Sequence, residues 1–291
     1  ELKHGTIRQI DPNHKPFEAY FAETAQTIHA NHQANSHAVS WLVKAPVFFQ
    51  QLVIELRRKP RVHSIDSFVH WFKLNHQELA CPSTPTVYRY IDNGLLELTN
   101  SELPMKLRRR VRSVRKAHQR MNKRTLGKSI EERPFGANNR TEIGHWEGDL
   151  VKGKRVASEP AIMTLTERVS RYEIIVKITD YHADTCQQAL QDVIDDYGPE
   201  YFKTVTFDNG SEFADLSKVA GTTVYFAHPY SPWERGTNEN QNQLIREFIP
   251  KGHSMRALTL TGIQAIQNAL NQRPRKVLNY QSAMAVLPDF D

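Results

Sequence analysis

The sequence predicts an α/β fold: a mixed five-stranded sheet flanked by helices in the back half of the chain, preceded by an all-α region. Three observations carry this. Apolar residues recur at helical spacing through the front of the chain. After Arg140 they gather into strand-like runs that alternate with helical ones. Charge divides at the same place: through Arg140 there are 23 Lys and Arg against 12 Asp and Glu, and from Thr141 onward 15 against 20. A basic front and an acidic back suit two tasks, holding a polyanion and holding metal cations.

With 291 residues the chain fits one large domain or two to three smaller ones, with enough length to bury a sizeable core. No apolar run approaches the length of a membrane span, so no membrane role is expected. The opening "ELKHGTIRQID" lacks both an initiator Met and the apolar region of a signal peptide, so a start inside a longer protein is expected. Cys81 and Cys186 are the two cysteines and form no CxxC pair, which argues against a zinc ribbon and fits a reducing cytoplasm.

In order along the front, "FEAYFAETAQTIHANHQ" (17–33) reads as a helix with Phe17, Tyr20, Phe21, Ala25 and Ile28 on its apolar positions. "VFFQQLVIELRRK" (47–59) reads as a second, ended by Pro60. "SIDSFVHWFKLNH" is a third, with Ser64 as N-cap and Ile65, Phe68, Val69 and Phe72 on one face. "CPSTPTVYRYIDNGLL" then gives a turn, a short helix capped by Ser83 or Thr84, and a stop at Gly94. The last two helices form either a helix-turn-helix, with Thr86 and Arg89 toward a DNA groove, or a purely structural helical hairpin.

"KLRRRVRSVRKAHQRMNKRTLGK" (106–128) holds 11 Lys and Arg among its 23 residues and no acid. Such a run repels itself unless a polyanion neutralises it, so Arg108, Arg109, Arg110 and Arg112 are candidate phosphate contacts, against the alternative of a solvated linker.

The back half reads β-β-β-α-β-α-β-α. "HWEGDLVKG", "AIMTLTERV" and "RYEIIVKITD" are strands; "DTCQQALQDVIDDYG" is a helix closed by Gly198; "KTVTFD" is a fourth strand. "FADLSKVAG" reads as a short helix, "TVYFAH" as a fifth strand, and "NENQNQLIREFI" and "LTGIQAIQNALNQ" as helices. Three acids need explaining in this layout. Asp149 lies inside the first strand, Asp208 ends the fourth at an Asn-Gly turn, and Glu239 opens a helix. If the first and fourth strands are neighbours and the helix crosses their edge, the three carboxylates converge. Like charges so close need a cation, and hard oxygen donors suit Mg²⁺ or Mn²⁺. Taken singly, each acid is also what a β-turn or a helix's first turn offers.

"GHWEGDLVKG", "TFDNGSEF" and "YFAHPYSPWERGTNENQNQLIREFIPKG" closely resemble the DDE transposases of bacterial insertion sequences, in particular the insertion sequence 30 family. "STPTVYRYIDNGLL", "LPMKLRRR" and "LNQRPRKVLNY" resemble that family too, so the likeness spans essentially the whole chain. The resemblance implies a ribonuclease H-like catalytic core with Asp149, Asp208 and Glu239 as a metal-binding triad and two ions, Mg²⁺ or Mn²⁺. It implies an Arg-x3-Glu-x6-Arg pattern on Arg235, Glu239 and Arg246. On a helix, residues 239, 242, 243 and 246 share a face. Asn242 and Arg246 are therefore candidate DNA contacts beside the metals, or Arg246 a surface ion pair.

The organisation this implies is a helical N-terminal region (1–62), a helix-turn-helix-like segment (63–100), a basic linker (101–135) and an integrase/transposase catalytic core (136–291). Two departures stand out. Thirty residues separate Asp208 from Glu239, a few fewer than the family pattern, the shortening falling around "ADLSKVAGTT". The chain also opens on what resembles the tail of the family's N-terminal helix-turn-helix, so that module is expected to be missing. The implied activity is metal-dependent phosphodiester hydrolysis and strand transfer on double-stranded DNA, at transposon ends and target, by a homodimer or larger assembly at the bacterial nucleoid. The alternatives are a retroviral-type integrase, whose His-His-Cys-Cys module one front-half Cys cannot build, and a non-catalytic transposase-derived DNA-binding regulator.

Overall fold

A computed structural model of the chain describes residues 5–36, 39–103, 126–154, 159–229, 231, 234 and 236–287. The chain divides into two compact units, Glu1–Phe49 and Gln50–Asp291. In the first, β1 (Thr6–Ile10) and β2 (Pro16–Tyr20) form an antiparallel hairpin, followed by helices α1 (Ala22–Ser36) and α2 (Trp41–Lys44). The expectation of one helix over 17–33 is corrected here: its first residues are strand. Asp11 closes the hairpin turn, its Oδ1 accepting from the amides of Asn13 at 2.9 Å and Lys15 at 2.7 Å. That turn chemistry turns Pro16 back along β1, and the helix starts only after Phe21.

Helix α3 (Pro46–Arg57) leads into the second unit, where α4 (Ile65–Asn75) and α5 (Thr84–Asp92) form the expected hairpin. Ser64 caps α4 in a reciprocal box: its hydroxyl accepts from the Ser67 amide, and the Ser67 hydroxyl accepts from the Ser64 amide. Ile65, Phe68, Val69 and Phe72 are buried, as their spacing requires, and α5 stops where Gly94 takes a φ of 66°. Thr86 is a correction: it is buried, its hydroxyl 3.0 Å from that of Ser83, so it faces the hairpin and not a groove. On this nine-residue helix it is buried along with Val87, whereas Arg89 is exposed. The hairpin is anchored from the far end of the chain, where Tyr280 donates to Asp66 at 2.9 Å and stacks on His70.

After β3 (Lys128–Ser129) and α6 (Phe135–Asn139) come β4 (His145–Lys152), β5 (Ala161–Glu167), β6 (Glu173–Ile178), α7 (Ala183–Tyr197), β7 (Thr204–Phe207), β8 (Thr223–Phe226), α8 (Gly236–Ile245), α9 (Leu260–Gln272) and α10 (Ala283–Val286). The sheet order is β3-β8-β7-β4-β5-β6. β4, β5 and β6 are an antiparallel meander; β7, β8 and β3 run parallel to β4. The five expected strands are all present, joined by the two-residue edge strand β3. The expected helix over "FADLSKVAG" is two 3-10 turns, Ser211–Phe213 and Leu216–Lys218.

Alternation gives the sheet two apolar faces. Trp146, Val205, Phe207 and Phe226 pack on Leu190, Val193 and Ile194 of α7. Val151, Ile162 and Ile175 pack on Ile245 of α8 and Ile263, Ile266 and Leu270 of α9. Each of these buried side chains stabilises the fold by roughly 1.5–3 kcal/mol. α9 also seals the β6 edge: Gln267 accepts from the Ile175 amide at 2.8 Å, and Asn271 both accepts from and donates to the Glu173 backbone. An edge that would otherwise present bare amides to a second chain is thereby closed.

Candidate active site

The site grows out of the register between two parallel strands. His145 pairs with Thr204, Trp146 with Val205 and Glu147 with Thr206. Carrying that register on by two residues sets Asp149, inside β4, level with Asp208, the residue after β7. Neighbouring strands lie about 4.8 Å apart, and paired residues project to the same face. Trp146, Val205 and Phe207 point to the α7 side, so Asp149 and Asp208 point to the opposite side, toward α8.

Local chemistry holds both acids at this edge. Gly148 lies under the Phe207 ring, and a Cβ there would collide with it, so only glycine lets the two strands close next to Asp149. Asp208 Oδ1 accepts from the Gly210 amide at 3.0 Å, which starts the turn away from the sheet. Asn209 Oδ1 accepts from the Leu126 amide at 2.9 Å, so the chain leaving the basic run is pinned beside Asp208.

Helix α8 lies across this edge. Asn242 donates to Asp149 Oδ2 at 2.6 Å, while Asp149 Oδ1 accepts from the Leu150 amide at 2.9 Å. One turn on, Arg246 donates to the Lys152 carbonyl at 2.8 Å. Burial lowers the Arg246 pKa and the Asp149 charge opposes that fall. Glu239 belongs to the same helix, three residues before Asn242. The side chain of Glu239, and the candidates Arg108, Arg109, Arg110, Arg112 and Arg235, lie outside the described residues. Asn242 and Arg246 meet the protein itself, one a carboxylate and the other a backbone carbonyl. Arg89 stands on the exposed face of α5.

Behind the two acids is a buried polar layer that sequence reasoning missed. Glu147, two residues before Asp149 and on the same face, is fully buried and ion-paired with Arg168, whose Nε donates to the Ala137 carbonyl. Glu173 accepts from the Thr166 hydroxyl at 2.7 Å; burial pushes its carboxyl up to about 8, with Arg275 opposing and Asp149 reinforcing the rise. On the outer side, Lys152 pairs with Glu212 at 2.7 Å and lies over the Tyr181 ring. His228, at the end of β8, shares a 2.8 Å hydrogen bond with Glu234, which raises the imidazole pKa. The one signal for this layer is the i, i+2 spacing of Glu147 and Asp149, which puts two acids on one strand face and demands a cation for each.

Among the described residues no group of three His, Cys, Asp or Glu is arranged to hold a metal ion. The donor set at the edge nonetheless fits a hard divalent cation: two carboxylates level on adjacent strands, and beside them Asn242 Oδ1, buried with no hydrogen-bond partner among the described residues.

The integrase core domain family matches residues 139–232, which include Asp149 and Asp208 and end before Glu239. The chain is 47% identical over 237 residues to the "Probable transposase for insertion-like sequence element IS1161" of Streptococcus salivarius, covering 81% of this chain and 67% of that protein. It is 40% identical over 162 residues to the transposase for insertion sequence element IS1086 of Cupriavidus metallidurans, covering 55% of this chain and 47% of that one. It is 39% identical over 164 residues to the transposase InsI for insertion sequence element IS30A of Escherichia coli, covering 55% and 42%. The chain thus spans about two thirds of the first of these relatives and less than half of the other two. A meander of three strands continued by two parallel ones is the ribonuclease H-like arrangement, and with these likenesses the chain belongs to the DDE transposases of the insertion sequence 30 family.

Proposed function

We propose that the chain hydrolyses a phosphodiester at an insertion-sequence end and joins the freed 3′-hydroxyl to a second DNA strand, with Asp149, Asp208 and Glu239 holding the metal. The observation that carries this reading is the parallel β4–β7 register, which continued by two residues sets Asp149 level with Asp208, with α8 tied to Asp149 through Asn242. Integrase-core transposases use divalent ions, and two Mg²⁺ or Mn²⁺ would activate water or the 3′-hydroxyl and stabilise the leaving oxygen. Asp149, oriented by Asn242 and the Leu150 amide, and Asp208, oriented by the Gly210 amide, supply the fixed oxygens. Glu239, one turn before Asn242 on α8, completes the set from the helix.

Double-stranded DNA, both element end and target, is the partner. The basic run at 106–128 neutralises its backbone, and Arg89, Arg235, Asn242 and Arg246 are the further proposed contacts. The functional segments proposed are a helical region (1–62), a helix-turn-helix-like segment (63–100), a basic linker (101–135) that lends β3 to the sheet, and the core (136–291). Bringing two ends together calls for a dimer or larger assembly, in the bacterial cytoplasm at the nucleoid. Among the described residues no helix is long and apolar enough to cross a membrane.

The test is Asp208→Asn. The amide keeps an oxygen for the Gly210 N–H but removes a full charge from the metal site. Nicking of labelled element-end DNA and strand transfer should both fall by about 100-fold or more. Gel-shift affinity for the same DNA should hold. Wild-type cleavage by the variant would refute the role of Asp208.

A further inference from the structure

The segment Arg273-Pro274-Arg275 follows α9, and both its arginines are buried. Arg275 donates from Nη1 to Gln241 Oε1 at 2.9 Å and from Nη2 to the Leu270 carbonyl at 3.1 Å. Gln241 is itself buried, and its Nε2 donates to the Arg171 carbonyl at 3.1 Å. The amide orientation is therefore unambiguous, since a guanidinium can only donate and a carbonyl can only accept. Arg273 grips Glu247 with both terminal nitrogens, at 3.1 and 3.4 Å. It also donates to the carbonyls of Val62 at 2.9 Å and Arg61 at 3.0 Å.

Gln241 lies inside α8 and Glu247 just past its end, so the two arginines take hold of one helix at two points. The backbone is built for this. Arg273 (φ −66°, ψ 120°) and Arg275 (φ −120°, ψ 128°) are both extended, so their side chains leave the chain on the same side. Proline between them fixes its own φ and biases Arg273 to the extended form. The prongs start about 7 Å apart and meet positions about 9 Å apart along the helix axis. At 100° per residue, Gln241 lies about 200° from Glu239 around α8, whereas Asn242 and Arg246 lie within about 60° of it. Arg275 thus holds the helix from behind through Gln241 and Arg273 holds Glu247 just past its end, while Asn242 and Arg246 hold it to β4.

We propose that Arg273 and Arg275 are positioning residues that fix the rotation and depth of α8, and so set where Glu239 meets the metal. This rests on the reading of Glu239 as the third carboxylate. A helix carrying a metal ligand in its first turn, and joined to the sheet through a loop, needs restraint on both sides for that ligand to stay within reach. Arg273 extends the restraint to the Arg61–Val62 backbone just before α4, which links the front hairpin to the helix that bears Glu239.

The test uses Arg275→Lys, Gln241→Ala and their double variant in the 291-residue chain, with Glu239→Gln alongside. Mn²⁺ binding is measured by the loss of the free-ion electron paramagnetic resonance signal, and metal-free thermal melting and DNA gel shifts are run in parallel. The Mn²⁺ concentration for half-saturation should rise by about 10- to 100-fold in each single variant. The double variant should lose no more than the worse single one, because both break the same link. Melting should stay cooperative, well above the assay temperature, and DNA affinity should hold. Unchanged Mn²⁺ affinity in the clamp variants while Glu239→Gln weakens it would overturn the clamp alone. Unchanged affinity in Glu239→Gln would overturn the underlying reading and the clamp with it. If Arg275→Lys does not fold, Gln241→Ala decides by the same criteria.

Discussion

Asn242 donates its side-chain amide to Asp149 Oδ2 at 2.6 Å, joining α8 to the central strand across 93 positions of sequence. A hydrogen bond to a charged acceptor is worth about 1.5–3 kcal/mol, so this bond does much to seat the helix. Asn242→Asp replaces the donor with a second carboxylate against the first. Without divalent ions the variant should melt earlier than wild type by an amount of that order, because like charges now face each other. Added Mn²⁺ should recover more stability in the variant than in wild type, since a cation converts repulsion into shared ligation. Melting curves with and without Mn²⁺ check both halves. An unaltered metal-free melt would mean that the Asn242–Asp149 bond does not hold the helix.

Glu173 makes stability fall with pH. Its folded pKa is raised to about 8 from 4.5, chiefly by burial, so between those values the folded state holds a proton that the unfolded state has released. Its contribution is full below 4.5 and is lost as pH climbs to about 8, at no more than about 1.4 kcal/mol per pH unit for one proton. Glu173→Gln should flatten that part of the stability profile in urea titrations from acid to mildly alkaline pH. A profile as steep as that of wild type would assign the slope to another group.

Arg108, Arg109, Arg110 and Arg112 are expected to meet phosphates. Their joint replacement by alanine should weaken DNA binding by a similar factor on every sequence. The slope of log affinity against log salt should shrink by about 0.9 for each phosphate that is no longer neutralised. Leu126, at the end of this stretch, is pinned to Asn209 next to Asp208, so backbone held by the run would be led toward the carboxylate edge. Fluorescence anisotropy across a salt series measures this. An unchanged slope would leave the run a solvated linker.

Whatever is set by neighbours in sequence was legible beforehand. The Ser64 cap, the stops at Gly94 and Gly198, the five longer strands and the turn at Asp208-Asn209-Gly210 each follow from a few adjacent residues, because caps and turns are short-range chemistry and strand alternation is a local period. The strand at Pro16–Tyr20 was not legible: its apolar residues fit a helical period by coincidence, and a paired hairpin overrode it. Nor was β3, whose two residues carry no period of their own and are strand only because β8 lies beside them. Thr86 and Arg89 look equivalent in sequence, but packing buries one and exposes the other.

The proposed acids divide in the same way. The family motif singles out Asp149 and Asp208, whereas residue type and strand position alone do not separate Asp149 from Glu147, two residues earlier on the same strand face. The tertiary structure supports the choice of Asp149 by giving Glu147 its buried partner Arg168 and bringing Asp149, held by Asn242, toward Asp208. It also turned Asn242 onto Asp149 and the two arginines of Arg273-Pro274-Arg275 onto α8. Those interactions join positions far apart along the chain, and their geometry depends on strand register and helix rotation. Both are set by burying two faces of one sheet at once, which no short stretch of residues encodes.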